Sequence, residues 1–542
     1  MKKLLPLIST LISTFNKKNN LDLQIFIKGS YLFWARDLIS RMPNDLDFGF
    51  MNCSFTQRTN FIEFLLKNNF EVIKRDENLQ ILRYKNFLVE FIILETINKS
   101  FLEETQYKNI HELNFKYAFF QKTTMIGYVL DPVYTHDVDK KILNIIEDLN
   151  FCWNLIPTRD EFLNYEKEIK FLQNSLWNSF FIYWYYNYDR MLDKYFSFEK
   201  LEKYTQFLDN SLKIWIQNFL VFIKDKFKAN LNFFDEILKK RENFTKLLNN
   251  FLIFPSLPGF EKQYVKKLFG ETINTETNGV FLSKNSTKNN VLFISHTDEV
   301  GGIVVNGEVY NQGTPYWENG VFEVYNQNSE KINEIFCEKL NNFIYSEEKI
   351  RKINRPTLSC NNLNKDEIYQ IFPKSDTKVS KFDISSRNLD NKISNILLRI
   401  LLTMKMEKSI NILLTTKEEI QLQGIKDFTA TNEIKKYKFL INLDVNQDKD
   451  WDQEGVRIRI ADQFTAVNMP FYNKIRKLFE KNAIPFLPYF GSGSTDITNF
   501  QNKNAITLSI SASKIHSNSS FCLLKNFFFL LWMCKEINEN LS

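Results

Sequence analysis

Four apolar runs in the second half of this chain each end on residues that can hold a divalent cation. They are VLFIS before His296-Thr297-Asp298, ILLTTK before Glu418-Glu419, KFLINL before Asp444, and ITLSISASKI before His516. A fifth acid, Asp390, stands in RNLDNKISN ahead of a helical pattern. Open α/β sheets present their reactive groups beyond the carboxyl ends of their strands, so runs of this kind bring their last residues to one rim. Imidazole nitrogens and carboxylate oxygens are the donors that suit a pair of zinc-like ions. His296 and Asp298 lie two apart and share a face of an extended segment, so the acid can hold the second ring nitrogen of a metal-binding imidazole. The two oxygens of a carboxylate such as Asp390 can bridge two ions. Adjacent Glu418 and Glu419 can divide ligation from proton transfer. The chain has only four histidines, and two of them fall in this set.

Each piece also has a plainer reading. An H-x-D segment occurs in surface loops, and Asp390 can simply cap the helix after it. Two adjacent acids can form a solvated corner, Asp444 can be a turn residue, and His516 can be structural. Their joint occurrence in this order, each after a strand-like run or ahead of a helix, favours a common site.

The elements that must position these residues are legible too. At about 150 residues per domain, 542 residues suggest about three units. Residues 1–145 read as a small α/β domain, with short apolar runs (LQIFIKG, DLDFGF, FEVIKR, QILRY, FLVEFIIL) alternating with helical patterns. Residues 146–243 read as a helical segment packed on that domain. They hold no glycine, and their apolar and aromatic residues recur at three- and four-residue spacing. Those aromatics read as core rather than as a base-stacking platform. FPSLPGFEKQY then punctuates the chain with two prolines and a glycine. From 244 to 542 strands and helices alternate, as in a mixed-sheet α/β domain. The stretch 302–380, with GGIVV, GVFEVY and EIYQIF, reads as a β-rich insertion.

Composition excludes little. At 44% hydrophobic and 25% charged the chain is of ordinary globular type. A net charge of +6 neither demands nor excludes a nucleic-acid partner. Six scattered cysteines without a C-x-x-C pair argue against a disulfide framework and a Cys-rich zinc site, and make the cytoplasm the simplest compartment. The start, MKKLLPLISTLISTF, has the look of a signal peptide, but no small-residue cleavage motif follows it. Leu4, Leu5, Ile8, Leu11, Ile12 and Phe15 instead mark one face of an amphipathic helix. The run NSLWNSFFIYWYYNYD is too short and too polar for a membrane span.

FPSLPGFEKQYV, SHTDEVGGIVV, RNLDNKISN, LTTKEEIQLQGIKD, INLDV, GSGSTD and KIHS follow one another in that order. With these motifs, residues 244–542 resemble the dinuclear-metal aminopeptidases of the tetrahedral, glutamyl and deblocking aminopeptidase family. The resemblance implies that His296, Asp390 and Asp444 hold one ion, and that Asp390, Glu419 and His516 hold the other. It implies Glu418 as general base and Asp298 as the group that orients His296. It further implies Zn2+, with Co2+ or Mn2+ as alternatives, peptides as substrates, and homo-oligomers formed through the β-rich insertion. The chain departs from the family around His516. Asn518-Ser519-Ser520 stand where Pro and Glu are usual, and Ser513-Lys514 where Arg-Tyr is usual. These changes touch substrate contacts rather than ligands.

In the first half, IFIKGSYLFWAR and RMPNDLDFGF read as strand, Gly-Ser turn, helix, and a strand bearing Asp45 and Asp47. Two acids two apart face one way, as two-metal phosphoryl transfer requires. The Gly29-Ser30 turn could hold a phosphate through its amides, and Glu90 in FLVEFIIL is a candidate third acid. Lys28-Gly29-Ser30 and Asp45-Leu46-Asp47 resemble the motifs of the abortive-infection nucleotidyltransferases of AbiEii type, over residues 15–145. That resemblance implies Mg2+, a nucleoside triphosphate, and an RNA or protein target. It leaves open whether Lys116 or Lys122 meets the triphosphate, and it sets His136 and Asp137 in a segment that carries Lys, His or Asp in related chains. The family commonly has aspartate where Glu90 stands. Two readings follow: an aminopeptidase fused to a nucleotidyltransferase, or a binding, regulatory or toxin-type protein in which one site is silent.

Overall fold

The computed structural model describes residues 4–541 except 40–41, 44, 52, 130–137, 157–158, 160–161, 163–164, 190, 192–201, 274–278, 284–288, 307, 317, 319, 338–362, 365, 431–432, 463–464, 492 and 501–503. It is a mixed α/β structure that divides into two compact units, Met1–Lys240 and Arg241–Ser542. Among the described residues no helix is long and apolar enough to cross a membrane.

The first unit is built on a seven-stranded sheet. Its order is Glu71–Arg75, Leu79–Tyr84, Phe87–Ile97, Asp45–Met51, Gln24–Lys28, Ile110–Leu113 and Leu102–Glu104. The helix Leu4–Asn19 buries Leu4, Leu5, Ile8, Leu11, Ile12 and Phe15, the face marked by their spacing. The boundary expected at 145/146 falls inside the helix Val138–Leu155. Ile142, Ile145, Ile146 and Leu149 on that helix are buried at helical spacing, so one amphipathic face runs across the expected break. The helical stretch packs against the sheet: Asn178, on the helix Ile169–Tyr185, donates to the Thr96 carbonyl at 2.9 Å. Most of its described aromatics are core, as their spacing suggests, while Phe151 and Phe207 are exposed. Trp177, Phe180, Phe181 and Phe234 are all buried, and the rings of Phe180 and Phe234 stack at 4.7 Å between centroids.

The second unit holds two sheets. In the larger, the strands Asn504–Ser513, Phe439–Gln447, Val291–His296 and Asn411–Thr415 lie side by side and parallel. Parallel strands covered on both faces read as unbroken apolar runs, which is why VLFIS, NILLT and FLINL stand out. The helices Lys392–Thr403 and Leu524–Leu541 are buried along most of their length. Leu292, Ile294, Leu413 and Leu440 on the sheet form one core with Ile425, Phe428, Ile497 and Phe500. Ile294→Ala should therefore cost about 2–5 kcal/mol, read as a lower midpoint in denaturant at unchanged slope.

The 302–380 stretch forms a separate five-stranded antiparallel sheet among its described residues. Its order is Glu308–Gln312, Gly301–Val305, Ile368–Pro373, Gly320–Tyr325 and Lys331–Cys337. Val304, Val309, Phe322, Val324, Tyr369 and Ile371 give it a core of its own. Gly301 begins it where side chains crowd: a Cβ there would lie 2.5 Å from the Leu257 side chain and 2.6 Å from the Phe372 ring.

Candidate metal centre

Strand register brings the first two residues together. Asn442 pairs with Ile294 across the parallel strands, so two residues further on Asp444 lies beside His296 on the same face. Asp390 reaches both from the turn before the helix Lys392–Thr403. It does not cap that helix: Asn391 holds the cap position, and no side chain caps it. His516 follows the strand Asn504–Ser513, in a left-handed conformation with φ of 62°.

The carboxylate of Asp390 lies between two imidazoles. Its Oδ1 is 3.2 Å from His296 Nε2, and its Oδ2 is 3.3 Å from His516 Nε2. Each imidazole also faces a second acid: His296 Nε2 is 3.8 Å from Asp444, and His516 Nε2 is 3.1 Å from Glu419. Ligand atoms of His296, Asp390 and Glu419 all lie within 4.8 Å of one another. Five predicted donors thus meet in one place, arranged as two groups that share Asp390.

Charge shapes the site. Burial alone would raise the Asp390 carboxyl, but the two imidazoles on it hold it below the usual carboxylate range. Burial raises the Glu418 carboxyl well above that range, reinforced by Glu419, Asp496 and Asp444 and opposed by His296.

Asp298 does more than its spacing suggests. His296 Nδ1 is 3.1 Å from the Asp298 carbonyl and 3.6 Å from its carboxylate. The carboxylate itself accepts the amides of Glu418 and Glu419, both at 3.0 Å. The loop carrying the two glutamates needs such support, because Lys417, Gln421 and Leu422 all have positive φ. Each such non-glycine conformation costs about 1–3 kcal/mol. Close packing adds to the constraint, since a Cβ at Gly424 would lie 2.4 Å from the carbonyls of Gly279 and Thr416.

Several groups at the site escaped sequence reasoning. Asp496, the acid of GSGSTD, accepts from the Thr415 hydroxyl at 2.6 Å, and burial pushes its carboxyl up to about 7. Lys392 is fully buried, pairs with Glu299, and is brought down to about 7 by burial. The unusual Asn518 has a structural role: it accepts the Glu318 amide at 3.1 Å and donates to the Glu318 carbonyl at 3.2 Å. It thereby ties the β-rich insertion to the His516 loop.

In the first unit, Lys28, Asp47 and Glu90 stand in one row across three strands. Ligand atoms of Asp45, Asp47 and Glu90 lie within 4.8 Å of one another. Burial, then Asp45 and Glu90, raise the Asp47 carboxyl well above its ordinary value. Gly29, with φ of 73°, lies directly against Asp47: a Cβ there would meet the carboxylate at 1.9 Å. Lys28, expected to face a nucleotide, pairs with Glu95. Lys116 turns to Glu168 at 2.6 Å. Lys122 lies 2.9 Å from the Ser30 hydroxyl and 2.5 Å from Asp148, so it is the lysine near the Gly29-Ser30 turn. His136 and Asp137 lie outside the described residues.

Residues 368–528 match the family model of the M42 glutamyl aminopeptidases. That span takes in Asp390, Glu418, Glu419, Asp444 and His516. No curated protein sequence matches the chain. Among solved structures it is similar to a Pyrococcus horikoshii TET1 peptidase reported to assemble into a tetrahedron or a large octahedral shell, at 16% identity over 55% of this chain and 99% of that one, with a TM-score of 0.46. It is similar to an aminopeptidase of the archaeon Desulfurococcus kamchatkensis at 16% identity over 55% and 95% of the two chains, with a TM-score of 0.46. A TET aminopeptidase from a marine sediment thaumarchaeon gives 15% identity over 56% and 98%, with a TM-score of 0.45. The C-terminal region of the chain, over residues 368–528, is a domain of the M42 glutamyl aminopeptidase family.

Proposed function

We propose that the Arg241–Ser542 unit hydrolyses the N-terminal residue from peptides, with two divalent ions held by His296, Asp390, Asp444, Glu419 and His516. The observation that carries this reading is Asp390, whose two oxygens face two different imidazoles. The donor set fits the ions. His516 Nε2 stands against oxygens of both Asp390 and Glu419, and the buried Glu419 Oε1 is left without a hydrogen-bond donor. Such crowding of acids on imidazoles is what a pair of cations would relieve. Bound there, two divalent ions would bring a water's pKa toward neutrality and polarise the scissile carbonyl.

The chain's own residues then divide the remaining work. Glu418 accepts the proton of the attacking water and returns it to the nitrogen of the departing amine. Asp298 fixes His296 and the backbone of both glutamates. The purified protein is expected to contain two ions per chain and to hydrolyse aminoacyl anilides. A chelator should abolish that activity and added Zn2+ should restore it. Protein with no bound metal and no hydrolysis would refute the reading.

For the first unit we propose a nucleotidyltransferase that uses Asp45, Asp47 and Glu90 to hold Mg2+ and a nucleoside triphosphate. The convergence of these three carboxylates favours it. Lys122, beside Ser30, is the better placed lysine for phosphate. Labelled nucleotide should pass to RNA or protein, and Asp45→Ala combined with Asp47→Ala should reduce transfer to background. Absence of transfer by the wild type across the four nucleoside triphosphates would make this unit a binding module.

A further inference from the structure

We infer that Glu261 is a positioning residue for Glu418, acting through the backbone of the loop that carries it. The inference rests on the peptidase reading for the identity of the proton carrier; the contacts themselves do not. Four successive amides leave the end of the strand Asn411–Thr415, and each is held from outside the loop. Thr416 donates to the Gly279 carbonyl at 3.3 Å. Lys417 donates to Glu261 Oε1 at 3.2 Å. Glu418 and Glu419 donate to the two oxygens of Asp298.

Glu261 opens the helix Glu261–Phe269 and is 4% exposed. Its second oxygen accepts the Gly259 amide at 2.8 Å. One buried carboxylate therefore joins the Gly259 turn to Lys417, one residue before Glu418. Lys417 is itself a strained point, with φ of 55°. Without Glu261 its amide loses an acceptor in a partly buried setting, and the backbone gains freedom where it sets the direction of the Glu418 side chain. Asp298 cannot isolate this effect, because it also meets His296. The side-chain hydrogen bonds of Glu261 go to Gly259 and Lys417, neither of them a proposed ligand. Because it also faces the charge of Asp298, metal content is read beside turnover to separate loop position from metal binding.

The test measures the full chain in four forms: wild type, Glu261→Ala, Glu261→Gln and, as a control on the exposed neighbour, Lys262→Ala. Metal content, kcat and KM on an aminoacyl anilide, and amide hydrogen exchange over 416–422 are read on each. Glu261→Ala should keep its ions and a KM within about threefold of wild type, with kcat lower by about 10–100-fold and faster exchange at 417–419. Glu261→Gln keeps one acceptor oxygen and should fall between. Lys262→Ala should match the wild type. Unchanged kcat with unchanged exchange in Glu261→Ala overturns the inference, as does a loss of turnover that only tracks lost metal. If Glu261→Ala fails to fold, Glu261→Gln decides by the same two readouts. If the wild type hydrolyses nothing, the peptidase reading falls, and exchange at 417–419 alone supports or overturns the clamp.

Discussion

Glu418→Gln should leave both ions in place and lower turnover by about 10²–10⁴-fold, the usual range for a positioned acid–base group. The two proposed ligand groups are complete without it. The acids facing His296 Nε2 are Asp390 and Asp444, and those facing His516 Nε2 are Asp390 and Glu419. Glutamine keeps the size of the side chain, and the backbone amide on which Asp298 acts is untouched. What disappears is the ability to take up a proton and release it again. KM should change little, because the loss falls on a step rather than on binding. Elemental analysis and steady-state kinetics on the same sample decide the matter. Near-normal turnover with two ions bound would remove Glu418 from the role of base. A sample that has lost metal would instead make Glu418 a ligand.

How much of this was legible in the sequence follows from what sets each feature. The parallel strands announce themselves because burial on both faces demands continuous apolar runs; His296 ends one, Glu419 and His516 follow two others, and Asp444 stands within the fourth. Asp390 is readable by type but not by role: only the fold brings it to His296, 94 residues away, and to His516, 126 residues away. Supporting groups are harder still. Glu261 meets Lys417 across 156 residues and Asp496 meets Thr415 across 81, and nothing in their local sequence marks a buried acid that serves another segment. In the first unit the register of three strands was implicit in Asp45-Leu46-Asp47 and Glu90. The pairing of Lys28 with Glu95 was not, since a lysine's partner depends on which acid its long side chain can reach once the sheet has formed. The break expected at 145/146 lies within one helix for a similar reason. Composition shifts there, while the helix Val138–Leu155 runs straight through.

The second large effect is expected at Asp390, where one substitution should remove two ions. In Asp390→Asn the side chain keeps its volume and one carbonyl oxygen but loses its charge and its second acceptor. Each proposed ion would then retain one imidazole and one carboxylate, Asp444 on one side and Glu419 on the other, with nothing shared between them. Metal content should fall from two toward zero, and turnover by at least about 10³-fold, because both ions would lose a ligand and with them the activation of water. Asp444→Asn offers the contrast: it weakens one group only, so one ion should stay. A readout free of catalysis comes from linkage. An ion at 100 times its Kd adds about 2.7 kcal/mol to the folded state. Wild type should therefore melt higher in saturating Zn2+ than in chelator, Asp444→Asn should show part of that rise, and Asp390→Asn should show almost none. If Asp390→Asn keeps the full metal-dependent rise, its carboxylate bridges nothing, and the two ligand groups must be independent sites that happen to be neighbours.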